Sequence, residues 1–310
     1  MPYWKRQYQV KFPKLDYTLE NSLHVDFDIQ KDLTAEVNKS TLTIYNMNAE
    51  HREKVSQPDT ECEIYAGYEG NSGPVCIFKG TVKQATSTYE EHDIKTELKL
   101  GDGEVEVRDS YMSLSYPPGT PIDTTIKAIA RNMGLALEYG EGVEFGSWKD
   151  GYSYVGPGWT ALRNICYGSG VTPSIQNGII QIILDDGVFT NKGIVFSAST
   201  GLIGYPERIN QADPYADKKE EQQQEEQPKR RRKSSKKKAK KAKIKKKAGW
   251  RIKTLMAPTV NPGDSIKVES QVIKGWFKVE SLHHRGSYIG GDWVSEFDIV
   301  EGATQGDGSK

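Results

Sequence analysis

The sequence predicts a β-dominated α+β fold, in which two β-rich domains flank a small α+β domain. Apolar residues alternate with a period of two in the first and last thirds of the chain, whereas the middle third has helical spacing. Forty-four Gly and Pro residues and 30 aromatic residues also favour strands and turns. We place the domains at 1–103, 104–185 and 186–302, followed by a flexible tail at 303–310.

The first segment alternates between apolar and polar residues in short runs separated by Gly, Asn and Pro. This pattern is typical of an antiparallel barrel or sandwich. A short helix is expected over Asn48–Val55, with Asn48 as its N-cap. The expected strands include Leu19–Phe27, Ser40–Met47, Glu61–Gly70, the stretch after Pro74, and the run from Ile94 to Leu100.

The middle segment predicts two helices and a hairpin. Thr120 is the expected N-cap of the first helix, Pro121 its first residue and Gly134 its C-cap. The tight-turn pair Asn177-Gly178 predicts the hairpin. The two apolar helix faces consist of Ile122, Ile126, Ile129, Ala130 and Met133, and of Trp159, Leu162, Ile165 and Cys166, with a stop at Gly168.

The third segment is again strand-like, and a charged loop at 213–249 interrupts it. The chain as a whole has 42 basic and 42 acidic residues, but 14 basic residues and no acid lie within 229–247. Without that run, the balance is 28 basic against 42 acidic residues, a net charge of −14. The basic residues are Lys229, Arg230, Arg231, Arg232, Lys233, Lys236, Lys237, Lys238, Lys240, Lys241, Lys243, Lys245, Lys246 and Lys247.

The sequence shows no signal peptide and no run of about 20 apolar residues that could span a bilayer. We therefore expect synthesis and folding in a cytoplasm. The three cysteines, Cys62, Cys76 and Cys166, do not form a disulfide framework. Free, partly buried thiols are the expected state, with Cys62 and Cys76 on neighbouring strands.

No catalytic, cofactor or metal motif is present, so we expect neither an enzyme nor a bound cofactor. His283 and His284 are adjacent and should face opposite sides of a strand, one packed and one solvated. The acidic stretch Gly101–Asp109 lacks calcium-loop spacing and is expected to join two domains. Tyr152, Tyr154 and Trp159 could form a carbohydrate or peptide platform, although packing on the adjacent helices is favoured.

Several segments together resemble the baseplate hub proteins of contractile-tailed bacteriophages. They are GYEGNSGPVCIFKGTV, PPGTPIDTTIKAIARNMGL, GPGWTALRNIC, SIQNGIIQI, STGLIGYPERI, LMAPTVNPGDSIKV and FKVESLHHRGSYIGGDWVSEF, in that order. The resemblance implies two tube-like β-barrels around a LysM-like domain. It also implies a homotrimeric ring of pseudo-six-fold symmetry in the virion tail baseplate. Its expected partners are the tail tube or a tube-initiator protein, the central spike protein and other baseplate subunits.

The charged loop departs from such hubs, which usually have a short connection at this point. It is either a disordered insertion without a partner or an electrostatic arm. An arm could contact DNA, an acidic baseplate subunit or the tape-measure protein. A nucleic-acid-binding protein that acts through 229–247 is therefore the alternative function, and a lytic enzyme is a distant third.

Overall fold

Strands dominate the chain, as the alternating apolar pattern predicts. Within the residues that the computed structural model describes, 18 strands accompany four α-helices and one 3₁₀ turn. The β-dominated fold class is therefore confirmed. The described residues are 4–33, 38–70, 73–185, 187–189, 191–211 and 247–301.

The first β-rich segment contains seven strands and helix α1 (Ala49–Val55). The Asn48 side chain accepts a hydrogen bond from the His51 amide at 2.8 Å, which confirms the predicted N-cap. The single strand predicted over Leu19–Phe27 is wrong, because the left-handed backbone of Asn21 (φ 46°) ends one strand before the next begins. The strands are β1 (Trp4–Phe12), β2 (Tyr17–Glu20), β3 (Val25–Asp32), β4 (Lys39–Tyr45), β5 (Glu61–Glu69), β6 (Val75–Glu90) and β7 (Asp93–Gly101), with the 3₁₀ turn at Pro13–Leu15.

The middle segment forms a two-stranded and a three-stranded sheet with three helices. Gly134 ends the long helix in a left-handed conformation (φ 71°), as predicted. The N-cap prediction is wrong by one residue: Pro121 occupies that position, and the Thr120 hydroxyl instead donates to the Pro117 carbonyl. The elements are α2 (Glu104–Asp109), β8 (Tyr111–Tyr116), α3 (Ile122–Met133), β9 (Ala136–Tyr139), β10 (Tyr152–Pro157), α4 (Gly158–Gly168), β11 (Val171–Gln176) and β12 (Ile179–Leu184).

The predicted hairpin of the middle segment is confirmed between β11 and β12. Asn177 and Gly178 both have positive φ angles, 54° and 76°, as a two-residue turn of this kind requires. The apolar faces of α3 and α4 are buried against this unit, as their helical spacing predicts.

Six strands form the second β-rich segment. The predicted charged loop lies between two of them, and its last residues, 247–249, belong to the second of these strands. The strands are β13 (Asn191–Ser197), β14 (Leu202–Gln211), β15 (Lys247–Leu255), β16 (Ser265–Glu269), β17 (Lys274–Ser287) and β18 (Trp293–Glu301).

All 13 strands of the two β-rich segments belong to one sheet. Its order is β14-β15-β18-β17-β3-β4-β7-β6-β5-β1-β2, with β16 beside the first half of β17 and β13 beside β16. The sheet passes from one segment to the other where β17 pairs with β3. Among the described strands this order does not close on itself, so β14 and β2 lie at its ends.

Three hydrophobic clusters stabilise the fold. One lies within the first β-rich segment and also takes in Met256 and Trp293, one lies within the middle segment, and one within the second β-rich segment. The first cluster therefore crosses the junction between the two β-rich segments. The domain boundaries 1–103, 104–185 and 186–302 stay a prediction.

Candidate assembly surface

The two β-rich segments repeat one strand order. In the first segment it is β3-β4-β7-β6-β5-β1, and in the second it is β14-β15-β18-β17-β16-β13. Each order contains three antiparallel pairs of consecutive strands: β3-β4, β5-β6 and β6-β7 in the first unit, and β14-β15, β16-β17 and β17-β18 in the second. The outermost pairs differ in direction, because β1 is antiparallel to β5 whereas β13 is parallel to β16. The chain therefore contains two copies of one topological unit.

The pairing register also repeats, residue by residue. A register shift interrupts β6 between Val82 and Gln84, and another interrupts β17 between Val279 and Ser281. In the first unit, Gln84 of β6 pairs with Lys99 of β7, which pairs with Thr41 of β4, which pairs with Asp28 of β3. In the second unit, the same path across the sheet runs from Ser281 of β17 through Asp298 of β18 and Arg251 of β15 to Glu207 of β14. A bulge at the same place in both units makes Gln84 equivalent to Ser281 and Asp28 equivalent to Glu207.

Backbone hydrogen bonds beside the two bulges repeat as well. The Val82 amide donates to the carbonyl of the residue directly before β5, and the Val82 carbonyl accepts from the amide one residue earlier. Val279 makes the same two hydrogen bonds with the two residues directly before β16. All four distances lie between 2.8 and 2.9 Å. The partners are Thr60 and Asp59 for Val82, and Asp264 and Gly263 for Val279.

The junction of the two units is a strand pairing, which we call the seam. Residues 281–287 of β17 pair antiparallel with residues 26–32 of β3. The ring of Phe27 lies over Gly286, where an added Cβ would stand 2.1 Å from the ring. Phe27 also packs edge-on against Trp293 at 5.2 Å between ring centroids. Backbone pairing and aromatic packing together hold the two units in register.

The sheet face opposite the core carries charged residues of both signs near the seam. Arg251 makes a two-pronged ion pair with Asp298 at 2.7 and 2.9 Å. Arg285 pairs with Glu296, and His283 lies 2.8 Å from Asp28 across the seam. The mixture of signs means that this part of the face does not present the single negative field that the net charge outside 229–247 suggests.

The adjacent histidines face opposite sides of β17, as predicted. His284 is 1% exposed, and its Nδ1 lies 2.8 Å from the Ser295 hydroxyl. Burial lowers the pKa of His284 to about 3, so the ring is neutral at physiological pH. His283 is partly exposed and pairs with Asp28. The predicted packed histidine is therefore His284, whereas His283 is only partly exposed rather than solvated.

Among the open strand edges of the described residues, two are equivalent to the two edges that pair at the seam. On β6, one edge pairs with β7 over Thr81–Glu90, and the other pairs with β5 over Val75–Thr81. The second edge is therefore open from Ala85 to Tyr89. On β14, one edge pairs with β15, and no described strand pairs with the other. An open edge presents unpaired N–H and C=O groups that favour pairing with another strand.

The middle segment is held to the first β-rich segment by buried polar groups. The Asp102 carboxylate, 0% exposed, accepts hydrogen bonds from the amides of Asn177 and Gly178 at 2.7 and 3.0 Å. Lys31, 2% exposed, donates from its ammonium group to the Asn177 side chain. Burial raises the pKa of Asp102 to about 6 and lowers that of Lys31 to about 8. The stretch Gly101–Asp109 is predicted only to join two domains by a turn. In the structure, Asp102 also binds the turn of the β11–β12 hairpin.

The cysteines and aromatic residues lie close to their predicted environments. All three cysteines are free, and Cys62 and Cys76 lie on the neighbouring strands β5 and β6. Tyr152 stacks on Trp148 at 4.3 Å between ring centroids. Of the predicted trio, Trp159 is buried in the core of the middle segment, and Tyr152 and Tyr154 pack against that core, which supports the packing role over a binding platform.

The predicted contact residues of the basic run, Lys229–Lys246, lie outside the described residues. The ends of the insertion are described: Gln211 and Lys247 are paired neighbours on β14 and β15. Among the described residues, no three His, Cys, Asp or Glu side chains are grouped to hold a metal ion. No helix in the described part of the chain is long and apolar enough to cross a membrane.

No protein-family model matches the sequence, and no curated protein matches it significantly. The fold as a whole is similar to that of bacteriophage tail proteins. The 43 kDa tail protein of prophage MuSo2 from Shewanella oneidensis superposes with a TM-score of 0.63 at 10% identity, over 96% of this chain and 98% of that one. A tail protein from Neisseria meningitidis MC58 gives 0.62 at 12% identity, over 96% and 97%.

An E. coli protein described as a component of the type VI secretion system, with structural similarity to the T4 bacteriophage tail proteins gp27 and gp5, gives a TM-score of 0.61 at 10% identity. The superposition covers 96% of this chain and 77% of that one. At such identities, the likeness shows that the fold is shared.

Proposed function

We propose that the chain is a structural, non-enzymatic baseplate hub of a phage-like tail. Three copies form a ring that joins the tail tube to the central spike, and its location is the tail of the virion. The shared fold carries this proposal, because it covers nearly the whole of this chain and of two tail proteins. In this proposal each chain contributes two tube-like barrel units, and the middle segment is the LysM-like domain.

The repeat within the chain supports this role physically. Each chain contains two units of one topology that are joined edge to edge. A ring of three chains therefore presents six similar units, which gives the pseudo-six-fold symmetry of the proposed ring. The open edges of β6 and β14 support a ring as well, because oligomerisation covers edges that would otherwise aggregate. The mixed charges near the seam suit a surface that must not adsorb DNA strongly.

The alternative function is nucleic-acid binding through residues 229–247. The observation that favours it is the concentration of 14 basic residues in that run. Such a run supports sequence-independent and steeply salt-dependent binding to phosphates. The same arm could instead contact the tape-measure protein or an acidic baseplate subunit.

Mass in solution, measured with and without DNA at two salt concentrations, separates the two functions. A trimer that forms without DNA and persists at high salt supports the hub. A monomer that binds DNA only through 229–247 would refute the hub and support the alternative. Clearing of cell-wall material on a zymogram would contradict the non-enzymatic role.

A further inference from the structure

We infer that β14 of one copy pairs with the open edge of β6 in the next copy, in the register that β3 and β17 show at the seam. The inference rests on the proposed function for the existence of a ring. It adds which strands form the subunit interface and which residues lie opposite one another. The partner that this edge fits is a second copy of the same chain.

The seam is the template for this pairing. β17 and β6 are equivalent strands of the two units, and so are β3 and β14. Within the chain, β17 binds β3 along the part of its edge that lies beyond β16. The equivalent part of β6 lies beyond β5 and has no described partner. One chain therefore contains one paired junction, between β17 and β3, and two open edges, on β6 and β14, that are equivalent to the two sides of that junction.

The backbone of β6 is oriented for such pairing. A two-residue turn connects β6 to β7, so the flanking residues Glu90 and Asp93 exchange hydrogen bonds. Alternation along the strand then directs the N–H and C=O groups of Ala85, Ser87 and Tyr89 to the open edge. The side chain of Tyr89 is 79% exposed, consistent with an uncovered edge.

The partner edge is supplied by residues 207–211 of β14. Pro206 precedes them and lacks an amide hydrogen, which is typical of a strand at the edge of a sheet. Glu207 and Arg208 are exposed, whereas Pro206 is buried. Glu207 and Arg208 can therefore pair with another strand without rearrangement of the unit's core.

Transfer of the seam register fixes the opposing residues. Thr86 is equivalent to His283 and Ile209 to Gln30, and those two residues are paired at the seam. Thr86 of one copy should therefore lie opposite Ile209 of the next. Ser87 should exchange backbone hydrogen bonds with Arg208. Because the two edges differ, the contact is head-to-tail, and it generates a ring when the rotation closes.

A disulfide between two single variants tests the register. Thr86→Cys and Ile209→Cys proteins are mixed, dissociated and reassembled, and then oxidised. Cα atoms in a pair of this kind are about 4.5 Å apart, within disulfide range. We expect a covalent dimer as the main product of the mixture, little from either variant alone, and an 86–209 link on peptide mapping.

The matched control mixes Thr86→Cys with Arg208→Cys, whose side chain alternates to the other sheet face. It should give no specific link. A ring of normal mass without the 86–209 link, or with equal linkage in the control, would overturn the pairing and leave the hub function standing. A chain that stays monomeric throughout would overturn both.

A backbone variant tests the same edge independently. Ser87→Pro removes an amide that points to the open edge, whereas Ser87→Ala keeps it. We expect Ser87→Pro to weaken ring assembly at least tenfold in sedimentation experiments, with circular dichroism unchanged, and Ser87→Ala to assemble normally. Equal assembly of both variants would contradict the inference.

Discussion

Replacement of Gly286 by alanine should destabilise the seam between the two units. An ideal Cβ at this position lies 2.1 Å from the Phe27 ring, with two more ring atoms at 2.5 and 2.6 Å. Ordinary contacts of this kind are 3.4 Å or longer. The ring must therefore move by more than 1 Å, although it is only 4% exposed and packs against Trp293.

Overpacking of a buried site costs about 1–3 kcal/mol, and the rigid aromatic ring places Gly286→Ala in the upper half of that range. Urea unfolding at constant pH measures the change in free energy. Gly290→Ala is the matched control, because no atom lies within 4 Å of its added Cβ. We expect a change below about 0.5 kcal/mol for the control.

A double-mutant cycle identifies the cause. Phe27→Leu removes the ring that crosses Gly286, so Gly286→Ala should cost at least about 1 kcal/mol less in that background. Additive effects, or a Gly286→Ala protein as stable as the Gly290→Ala control, would refute the account of the seam.

The remaining predictions concern the middle segment and the insertion. Burial raises the pKa of Asp102 from 3.8 to about 6, so the folded state binds this proton more tightly and loses up to about 3 kcal/mol of stability as the pH rises from 4 to 6. Asp102→Asn should remove that slope in urea unfolding, and an unchanged slope would contradict it. Gly178→Ala should cost about 1 kcal/mol in thermal unfolding because Gly178 is left-handed (φ 76°); no loss would contradict the turn assignment. Replacement of 212–246 by Asn-Gly should preserve the melting temperature within a few degrees, because Gln211 and Lys247 are already paired. If the unaltered protein retains DNA in a salt-dependent way, the replacement should abolish that retention. DNA retention by the shortened protein would place the binding elsewhere.

Local features of the fold could be predicted from the sequence because they depend on short-range chemistry. Asn48 caps α1, Gly134 ends α3, and Asn177-Gly178 turns the β11–β12 hairpin, all within a few residues of the signal. The histidine pair was predictable for the same reason, since alternation along a strand fixes opposite faces.

Long-range partners could not be predicted in the same way. From the sequence, Asp102 belongs to a turn that joins two domains. Its hydrogen-bond donors, the amides of Asn177 and Gly178, are about 75 residues away in the chain, so no local pattern indicates its buried role. Lys31 did carry a signal: it continues the core-facing series Val25, Phe27 and Ile29 of β3. The seam pairs residues more than 240 positions apart, and no local pattern specifies such pairing.

The candidate assembly surface was predictable only in outline. The resemblance implied barrels that meet in a ring, but the repeated register is visible only in the paired strands. The two bulges both follow a valine, Val82 and Val279, but the next two residues differ, and a single shared valine is no motif that reveals their equivalence.

Averaged electron-microscope images of the isolated protein show most directly whether three copies form a ring. The proposed hub should appear as a three-fold ring whose inner wall shows six similar units, because each chain contributes two units of one topology. A two-fold particle, an open filament, or a monomer at micromolar concentration would contradict it.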